Sequence, residues 1–301
     1  MSEGIVFIDG EYVAPGEARM SIFDYGFTWS DVVYDVTSVW RGWFFKLDEH
    51  LDRFDRSCAG FRLHHPYSRD ELRGILAECV DRAGLTDAYV KVEVTRGLTP
   101  NQSRDLRLAE NRFVAYAIPY VWIWGEEGCR NGVNIHLCRR FERISSRAVD
   151  QRFKNYNRAD LVQARLDGYD AGCDDAMVVG PDGELTEGFG WNLLVVRDGV
   201  VASPDWNVLE GCTRAAVREI CADEGVPFEL RRVEPAELDE ADEVFAATTA
   251  GGGMPIVAVD SRPVGDGRPG RITRMLQEQY WARRVEGWHG TRVTDLLARR
   301  G

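Results

Sequence analysis

Apolar positions along this chain switch between a two-residue period and a helical one, and each switch predicts an element. Residues 4–13 hold two β-rich runs on either side of Asp9-Gly10, a hairpin signal. Residues 38–47 repeat the pattern around Arg41-Gly42. From 48 to 61 the spacing becomes helical, with Leu51, Phe54, Cys58 and Phe61 on one face. Ser68 and Glu71 form a capping-box pair, so a helix is predicted from there to about Ala83, stopped by Gly84. Residues 88–95 alternate strictly, with Val90, Val92 and Val94 on one face of a strand. A polar stretch at 97–111 reads as a loop, and 112–121 as the next strand.

An arginine-rich connection at 139–151 is poor in large apolar residues and reads as the domain boundary. Beyond it, 159–172 has helical spacing. Strands are predicted at 175–179, 192–196 and 199–202, around the turns Pro181-Asp182-Gly183 and Arg197-Asp198-Gly199. A helix at 213–224 points Ala216, Val217, Ile220 and Cys221 inward. A strand at 243–248, a triple glycine at 251–253 and a helix at 270–281 complete the pattern. Strands in both halves with irregularly spaced helices indicate an α+β fold of two domains, 1–145 and 153–301, joined by a linker at 146–152.

Composition narrows the function. With 37 basic and 49 acidic residues, the net charge of −12 argues against sequence-independent nucleic-acid binding, which needs clustered cations. The longest apolar run, about 113–124, is broken by Pro119 and falls short of the roughly 20 residues a membrane helix needs. The N-terminal Met-Ser-Glu-Gly has no basic stretch leading into an apolar one, so no signal peptide is expected. The seven cysteines contain no C-x-x-C pair and the histidines no H-E-x-x-H motif. Reduced, mostly buried thiols in a cytoplasmic protein without a metal site are therefore expected.

Only three of the basic residues are lysines: Lys46, Lys91 and Lys154. Lys46 follows a hairpin and is expected at the surface. Lys91 shares a strand face with Glu93 and is expected to pair there or with a neighbouring strand. Lys154 stands in Arg152-Phe-Lys-Asn-Tyr-Asn157, just past the boundary, with Arg152 and Arg158 close by. A lysine becomes a nucleophile when desolvation or a neighbouring cation removes its proton; on spacing alone, an exposed lysine at a helix start is the simpler reading. Glu187 lies in a glycine-bearing stretch, and a buried carboxylate there needs a partner, either an arginine or a protonated ring nitrogen. Leu209-Glu-Gly-Cys-Thr213 runs into a helix start, where amides and a hydroxyl make an anion site. Thr248-Thr-Ala-Gly-Gly-Gly253 is a second glycine-rich loop.

Taken in order, these stretches match one family. The segments 30–58 (SDVVYDVTSVWRGWFFKLDEHLDRFDRSC), 89–98 (YVKVEVTRGL), 153–162 (FKNYNRADLV), 183–196 (GELTEGFGWNLLVV), 209–214 (LEGCTR) and 248–255 (TTAGGGMP) resemble the fold-type IV pyridoxal-phosphate aminotransferases (the class IV family), most of all the (R)-selective amine transaminases. The resemblance implies a small N-terminal α/β domain and a larger C-terminal domain with a β-pseudobarrel. It also implies a homodimer whose active sites lie between the domains and take loop residues from the partner subunit.

The same resemblance implies the roles of individual residues. Lys154 would be the Schiff-base lysine and proton shuttle, and Glu187 the carboxylate at the pyridine nitrogen. Arg53 would bind the phosphate, together with Gly211, Cys212, Thr213, Thr248 and Thr249. Tyr34 and Val36 would flank the substrate. Trp29 stands where close relatives carry a smaller polar residue. Gln102 aligns with their carboxylate-binding arginine, and Arg104 lies two positions on. Arg158 replaces an aromatic. The implied reaction is a ping-pong transfer of an amino group from an (R)-amine or D-amino acid to a keto acid such as pyruvate. Aminodeoxychorismate lyase and branched-chain L-amino-acid aminotransferase are alternatives with the same cofactor, and a cofactor-free binding protein is an alternative from another class.

Overall fold

The computed structural model describes residues 3–299; Met1 and Ser2, part of the N-terminal stretch read above, lie outside the described residues, as do Arg300 and Gly301. In chain order the elements are β1 (Ile5–Ile8), β2 (Glu11–Val13), α1 (Tyr25–Trp29), β3 (Val32–Trp40), β4 (Trp43–Phe45), α2 (Leu47–Phe61), α3 (Arg69–Arg82), β5 (Ala88–Leu98) and β6 (Glu110–Pro119). There follow α4 (Gly125–Asn131), β7 (Val133–Glu142), α5 (Ala159–Asp170), β8 (Asp175–Val179), β9 (Leu185–Gly188), β10 (Trp191–Arg197), β11 (Val200–Ser203), α6 (Cys212–Asp223) and β12 (Phe228–Leu230). The last are β13 (Glu243–Thr248), β14 (Gly252–Val259), β15 (Arg262–Pro263), α7 (Arg271–Val285), β16 (Gly290–Arg292) and α8 (Val293–Ala298).

The chain forms two compact units. The first comprises residues up to Val121, the short segment Phe153–Asn157, and residues from Arg284 onward; the second comprises Trp122–Arg152 and Arg158–Arg283. This division departs from the expected partition at 1–145, 146–152 and 153–301. The arginine-rich stretch begins inside β7, at Arg139 to Glu142, and residues 146–152 belong to the second unit, whose first segment ends at Arg152, where the second domain was expected to begin. The segment around Lys154 belongs to the first unit because it is stitched to β3. Asn155 forms a bridge with Val33, Tyr34 donates its N–H to the Lys154 carbonyl at 3.0 Å, and Tyr156 donates to Val32 at 3.2 Å. The C-terminus returns to the first unit because β16 pairs with β4.

The first unit is built on a wholly antiparallel seven-stranded sheet in the order β16-β4-β3-β5-β6-β1-β2. Phe54, Leu51 and Leu47 of α2 and Leu72, Ile75 and Leu76 of α3 join Val90, Val92 and Val94 of β5 in one core. Ser68 caps α3, accepting from Glu71 N–H while the Glu71 carboxylate reaches back to Ser68 N–H, a box whose cap is worth about 1 kcal/mol. At Gly97 (φ 72°) the β5–β6 ladder shifts register. A Cβ there would lie 1.7 Å from the Glu110 carbonyl, so only glycine fits this bulge.

The second unit holds a nine-stranded sheet, six of whose strands close into a ring. β10 pairs with β13, β13 with β14, β14 with β7, β7 with β8 and β8 with β9, and β9 pairs back with β10. The ring has two parallel pairings, β14–β7 and β7–β8, and four antiparallel ones, so strand directions are consistent around it. β11, β12 and β15 hang on its outside edges. Alternate residues Val133, Ile135 and Leu137 of β7, Leu193 and Val195 of β10, Val244 and Ala246 of β13, and Met254 and Ile256 of β14 share one core, the pattern of side chains filling a small barrel. The fold is therefore α+β with a small antiparallel unit and a pseudobarrel unit, as the resemblance implied.

Candidate active site

In the first unit, Lys154 is buried (9% exposed), which rules out the exposed helix-start reading. Its backbone N–H donates to Ser57 Oγ at 3.0 Å, and Ser57 Oγ–H donates to the Arg53 carbonyl at 2.8 Å. The bulky Phe153 before it sits over Gly60 of α2, where any Cβ would collide with the ring. Lys154 Nζ lies 4.8 Å from the centroid of the Tyr34 ring, a cation–π distance. Lys91 Nζ lies 4.8 Å from the same ring and pairs with Glu93 at 2.7 Å. Tyr156 OH hydrogen-bonds Glu93, and its ring packs edge-on against Tyr34 at 5.1 Å. Burial first, and the Glu93 charge second, push the Tyr156 and Tyr116 hydroxyls well above the usual phenol range. Lys91 thus pairs with Glu93 as the strand pattern allowed. Lys46 departs from expectation: as the N-cap of α2 it is buried, its backbone in the left-handed region and its Nζ turned back to Glu49 of the same helix at 3.2 Å.

Arg53 projects from α2 beside Asp35 of β3. Its Nε donates to Asp35 Oδ2 and its Nη2 to Oδ1, both at 2.8 Å, and His50 Nδ1 meets Oδ1 at 2.7 Å. This fork fixes the guanidinium plane. Burial alone would raise the Asp35 carboxyl, but the Arg53 charge and the His50 and Arg53 hydrogen bonds outweigh it and hold the group well below the ordinary carboxylate range. Asp35 lies between Tyr34 and Val36, the two expected pocket residues. Val36 is buried in the β3–β5 ladder opposite Lys91, and Tyr34 is half-buried.

Trp29, Gln102 and Arg104 come together. With Phe23, Tyr25, Thr28, Leu98 and Thr99 they line a cavity of about 220 Å³ in the first unit. The Trp29 ring stacks on Tyr25 at 4.1 Å. Among the described residues Arg104 makes no ion pair, whereas the nearby Arg107 is held by Asp105.

In the second unit, Glu187 on β9 is buried and held from both sides. Arg143 donates to its Oε1 from Nε at 3.2 Å and Nη2 at 3.1 Å. Leu209 N–H donates to Oε2 at 3.0 Å and Asn192 Nδ2 at 3.4 Å. Of the two partners the sequence left open, the structure supplies the arginine. Arg143 also donates to Asp160 at 2.6 Å and to Gln151, so its charge is shared among three acceptors in a buried network. Asn192 closes the arrangement, donating to the Leu209 carbonyl at 2.9 Å. Arg143, Asp160, Gln151, Asn192, Asp35 and His50 are not singled out by the sequence. The spacing between Arg143 and Glu187 carries no local signal, and only the fold brings them together.

Leu209 leads into Gly211, the N-cap of α6, which offers no capping side chain. A Cβ at Gly211 would lie 2.0 Å from Asn192 Oδ1, so the loop can approach Asn192 only with glycine. Cys212 and Thr213 occupy the first turn, both buried, and Thr213 Oγ1 has no hydrogen-bond partner among the described residues. A helix start with its first-turn amides, positive dipole and an orphaned buried hydroxyl suits an anion such as phosphate. Burial lowers the Arg214 guanidinium, countered by Glu187, Glu210 and Asp205. Thr248 is differently employed: its Oγ1 donates to the Gly190 carbonyl at 2.7 Å and accepts from Ala250 N–H. Thr249 follows it at the end of β13. Arg152 pairs with Asp150 at 2.7 Å, and Arg158 lies 5.9 Å from the Phe189 ring.

The profile of the amino-transferase class IV family matches residues 32–259. The D-alanine aminotransferase of Staphylococcus aureus is 29% identical, covering 91% of this chain and 96% of its own. The branched-chain-amino-acid aminotransferase of Pseudomonas aeruginosa is 28% identical, covering 93% and 92%. Among solved structures, a T.th. branched-chain amino acid aminotransferase with pyridoxamine 5'-phosphate superposes with a TM-score of 0.88 at 28% identity, covering 97% of this chain and 99% of that one. The same enzyme complexed with N-(5'-phosphopyridoxyl)-L-glutamate gives 0.88 at 26%, with the same coverage. Pyridoxal phosphate carries an amine-reactive aldehyde, a ring nitrogen and a phosphate, and this chain has a buried amine, a buried carboxylate and an uncapped helix start with an orphaned hydroxyl to match them. The matched span takes in Lys154, Glu187 and the Gly211 loop together, and the chain accordingly belongs to the class IV aminotransferases, pyridoxal-phosphate-dependent transaminases of fold type IV.

Proposed function

We propose that the enzyme moves an amino group from an (R)-amine or D-amino acid to a keto acid such as pyruvate, by a ping-pong cycle. The observation that carries the cofactor chemistry is the buried Glu187, tied through Leu209 and Asn192 to the loop that opens α6. Pyridoxal phosphate supplies an electron sink that makes the donor's α-proton acidic. Glu187, paired with Arg143, would hold the ring nitrogen in its protonated form. Gly211, Cys212 and Thr213 would hold the phosphate with their amides and the Thr213 hydroxyl, and Arg53, its plane fixed by the fork to Asp35, would add its positive charge. Thr248 supports this role as a scaffold, Thr249 as a phosphate ligand. Lys154 Nζ would hold the cofactor at rest and, once released from it, would take the proton from the donor's α-carbon.

Substrate choice rests on the cavity of Trp29, Gln102 and Arg104, with Tyr34 and Val36 as flanking groups. Arg104 is the better carboxylate ligand of the pair, since a guanidinium offers a charged two-pronged contact and glutamine a neutral one. The D-alanine aminotransferase relative supports a D-configured donor. A second copy of the chain is the expected partner. Met20, Ile22, Phe23, Phe27 and Trp29 leave a run of large apolar side chains exposed, Phe27 at 71%, which a dimer would cover. No described helix is long and apolar enough to cross a membrane. All seven cysteines are buried thiols outside any disulfide, which supports a reducing, cytoplasmic setting.

The test is the visible absorbance of the holoenzyme, titrated with each enantiomer of alanine and of 1-phenylethylamine and with L-leucine. Loss of the cofactor's visible band with D-alanine or (R)-1-phenylethylamine alone is expected. Bleaching by L-leucine in preference to both would assign the branched-chain alternative. Pyruvate release from aminodeoxychorismate would assign the lyase.

A further inference from the structure

We propose that His136, Cys138 and Asp167 form a zinc site in the second unit, apart from the residues assigned to catalysis. His136 and Cys138 are two apart on β7 and so share the face of the strand opposite Ile135 and Leu137, which fill the ring. α5 packs on that face and brings Asp167 to them. His136 Nε2 lies 3.5 Å from Asp167 Oδ2, and Cys138 Sγ lies 3.6 Å from the same oxygen. The three donor atoms all lie within 4.8 Å of one another. A tetrahedral zinc with bonds of about 2.0 Å to nitrogen and oxygen and 2.3 Å to sulfur separates its ligands by roughly 3.3–3.6 Å. Two of the three edges thus already have the length the metal requires.

A second observation points the same way. His136 Nδ1 meets Asp260 Oδ1 at 2.7 Å, and Asp260 also accepts Leu137 N–H at 3.1 Å, so the carboxylate is itself held in place. A carboxylate on Nδ1 fixes the tautomer that turns the Nε2 lone pair outward, the arrangement found behind metal-bound histidines. Here Nε2 faces Asp167 and Cys138. The neighbouring arginines use other atoms: Arg140 approaches Asp167 Oδ1 at 3.5 Å and Arg139 approaches Asp260 Oδ2 at 3.8 Å. Both guanidinium groups are mostly exposed and can swing away. His136 and Asp167 are partly exposed, which gives a metal ion a way in, while Cys138 is buried behind them.

The donor set selects the metal. One sulfur, one imidazole nitrogen and one carboxylate oxygen suit zinc and exclude magnesium and calcium, which take oxygen ligands. On binding, the Cys138 S–H bond breaks, the proton leaves to solvent, and the sulfur electron pair forms the bond to zinc, with a water completing the tetrahedron. The metal would pin α5 to β7.

The experiment is a titration of the holoenzyme with Co2+ in chelator-treated buffer, read as a difference spectrum, with Zn2+ calorimetry alongside. One equivalent should bind with a thiolate-to-cobalt charge-transfer band, zinc should displace the cobalt, and the melting temperature should rise by several degrees. Cys138→Ser should abolish the band. Asp167→Asn, a change at a partly exposed site that keeps side-chain shape, should weaken binding at least tenfold, and Asp260→Asn by about 10–100-fold. No charge-transfer band in the wild-type protein, a band that survives Cys138→Ser, or wild-type affinity in Asp167→Asn would each overturn the site.

Discussion

Tyr34 and Lys154 are joined twice: Tyr34 N–H donates to the Lys154 carbonyl at 3.0 Å, and Lys154 Nζ stands 4.8 Å from the Tyr34 ring centroid. The backbone link and the bond from Lys154 N–H to Ser57 need no lysine side chain. Lys154→Ala is therefore expected to fold normally, shown by an unchanged circular dichroism spectrum, while losing the cofactor's visible band. Transamination should fall by at least about 10²-fold with loss of the proton-transferring amine.

Glu187→Gln leaves Arg143 buried against a neutral amide. Removing one partner of a buried ion pair costs about 3–5 kcal/mol, and the remaining acceptors Asp160 and Gln151 should hold the loss to the lower end. Denaturant melts should show the lower midpoint. The same variant should lower kcat as well, whereas a variant that is only destabilised would keep kcat per folded molecule.

Acid stability should depend on Asp35. Its folded-state value is depressed, so the ionised carboxylate contributes fully above the ordinary range near about pH 4 and loses that contribution as pH falls toward the lower folded-state value. Asp35→Asn should be less stable than wild type at neutral pH, and the gap should narrow as the medium is made acidic. Urea midpoints measured from neutral pH downward give both.

Arg104→Gln should raise the KM for the keto acid and reduce its kcat/KM by roughly 10–100-fold, the worth of a charged hydrogen bond of about 1.5–3 kcal/mol. Gln102→Ala should change it little. Steady-state kinetics with pyruvate varied at a fixed saturating donor separates the two residues.

Burial pushes the Cys58, Cys79 and Cys221 thiols up to about 12 and Cys129 to about 11. The thiolate is the reactive form. A disulfide reagent at mildly alkaline pH should label these four far more slowly in the native protein than in denaturant, as peptide mapping after timed quenching would show.

Much of the fold is legible in the sequence where the signal is local. Ser68 and Glu71 announce a helix start because the capping box is completed within four residues. Val90, Val92 and Val94 announce β5 because one face is buried and the period shows. The ring strands are harder. The end of β7 reads as a domain boundary because its buried Val133, Ile135 and Leu137 give way to Arg139 and Arg140. β9 shows no strand pattern, although it is a four-residue strand that carries Glu187. β14 begins in a triple glycine that looks like a loop. The roles proposed for Lys154 and Glu187 are legible only through resemblance, whereas the Gly211 loop also reads as an anion site from its place at a helix start. The role of Arg143 is not legible at all, since it depends on a meeting 44 residues along the chain that only the closed sheet arranges.

The closed ring has a further consequence. Glu187 and Asn192 are direct cross-strand partners at the β9–β10 seam where the ring joins. An open sheet can let one strand slide past the next. In a closed one, a slip at the seam must be offset by an equal and opposite slip at another pairing of the ring. The spacing between the carboxylate and the amide that steadies it is thus held by two seams at once: β9 can shift against β10 only by shifting against β8 as well, so side-chain repacking alone leaves it in place.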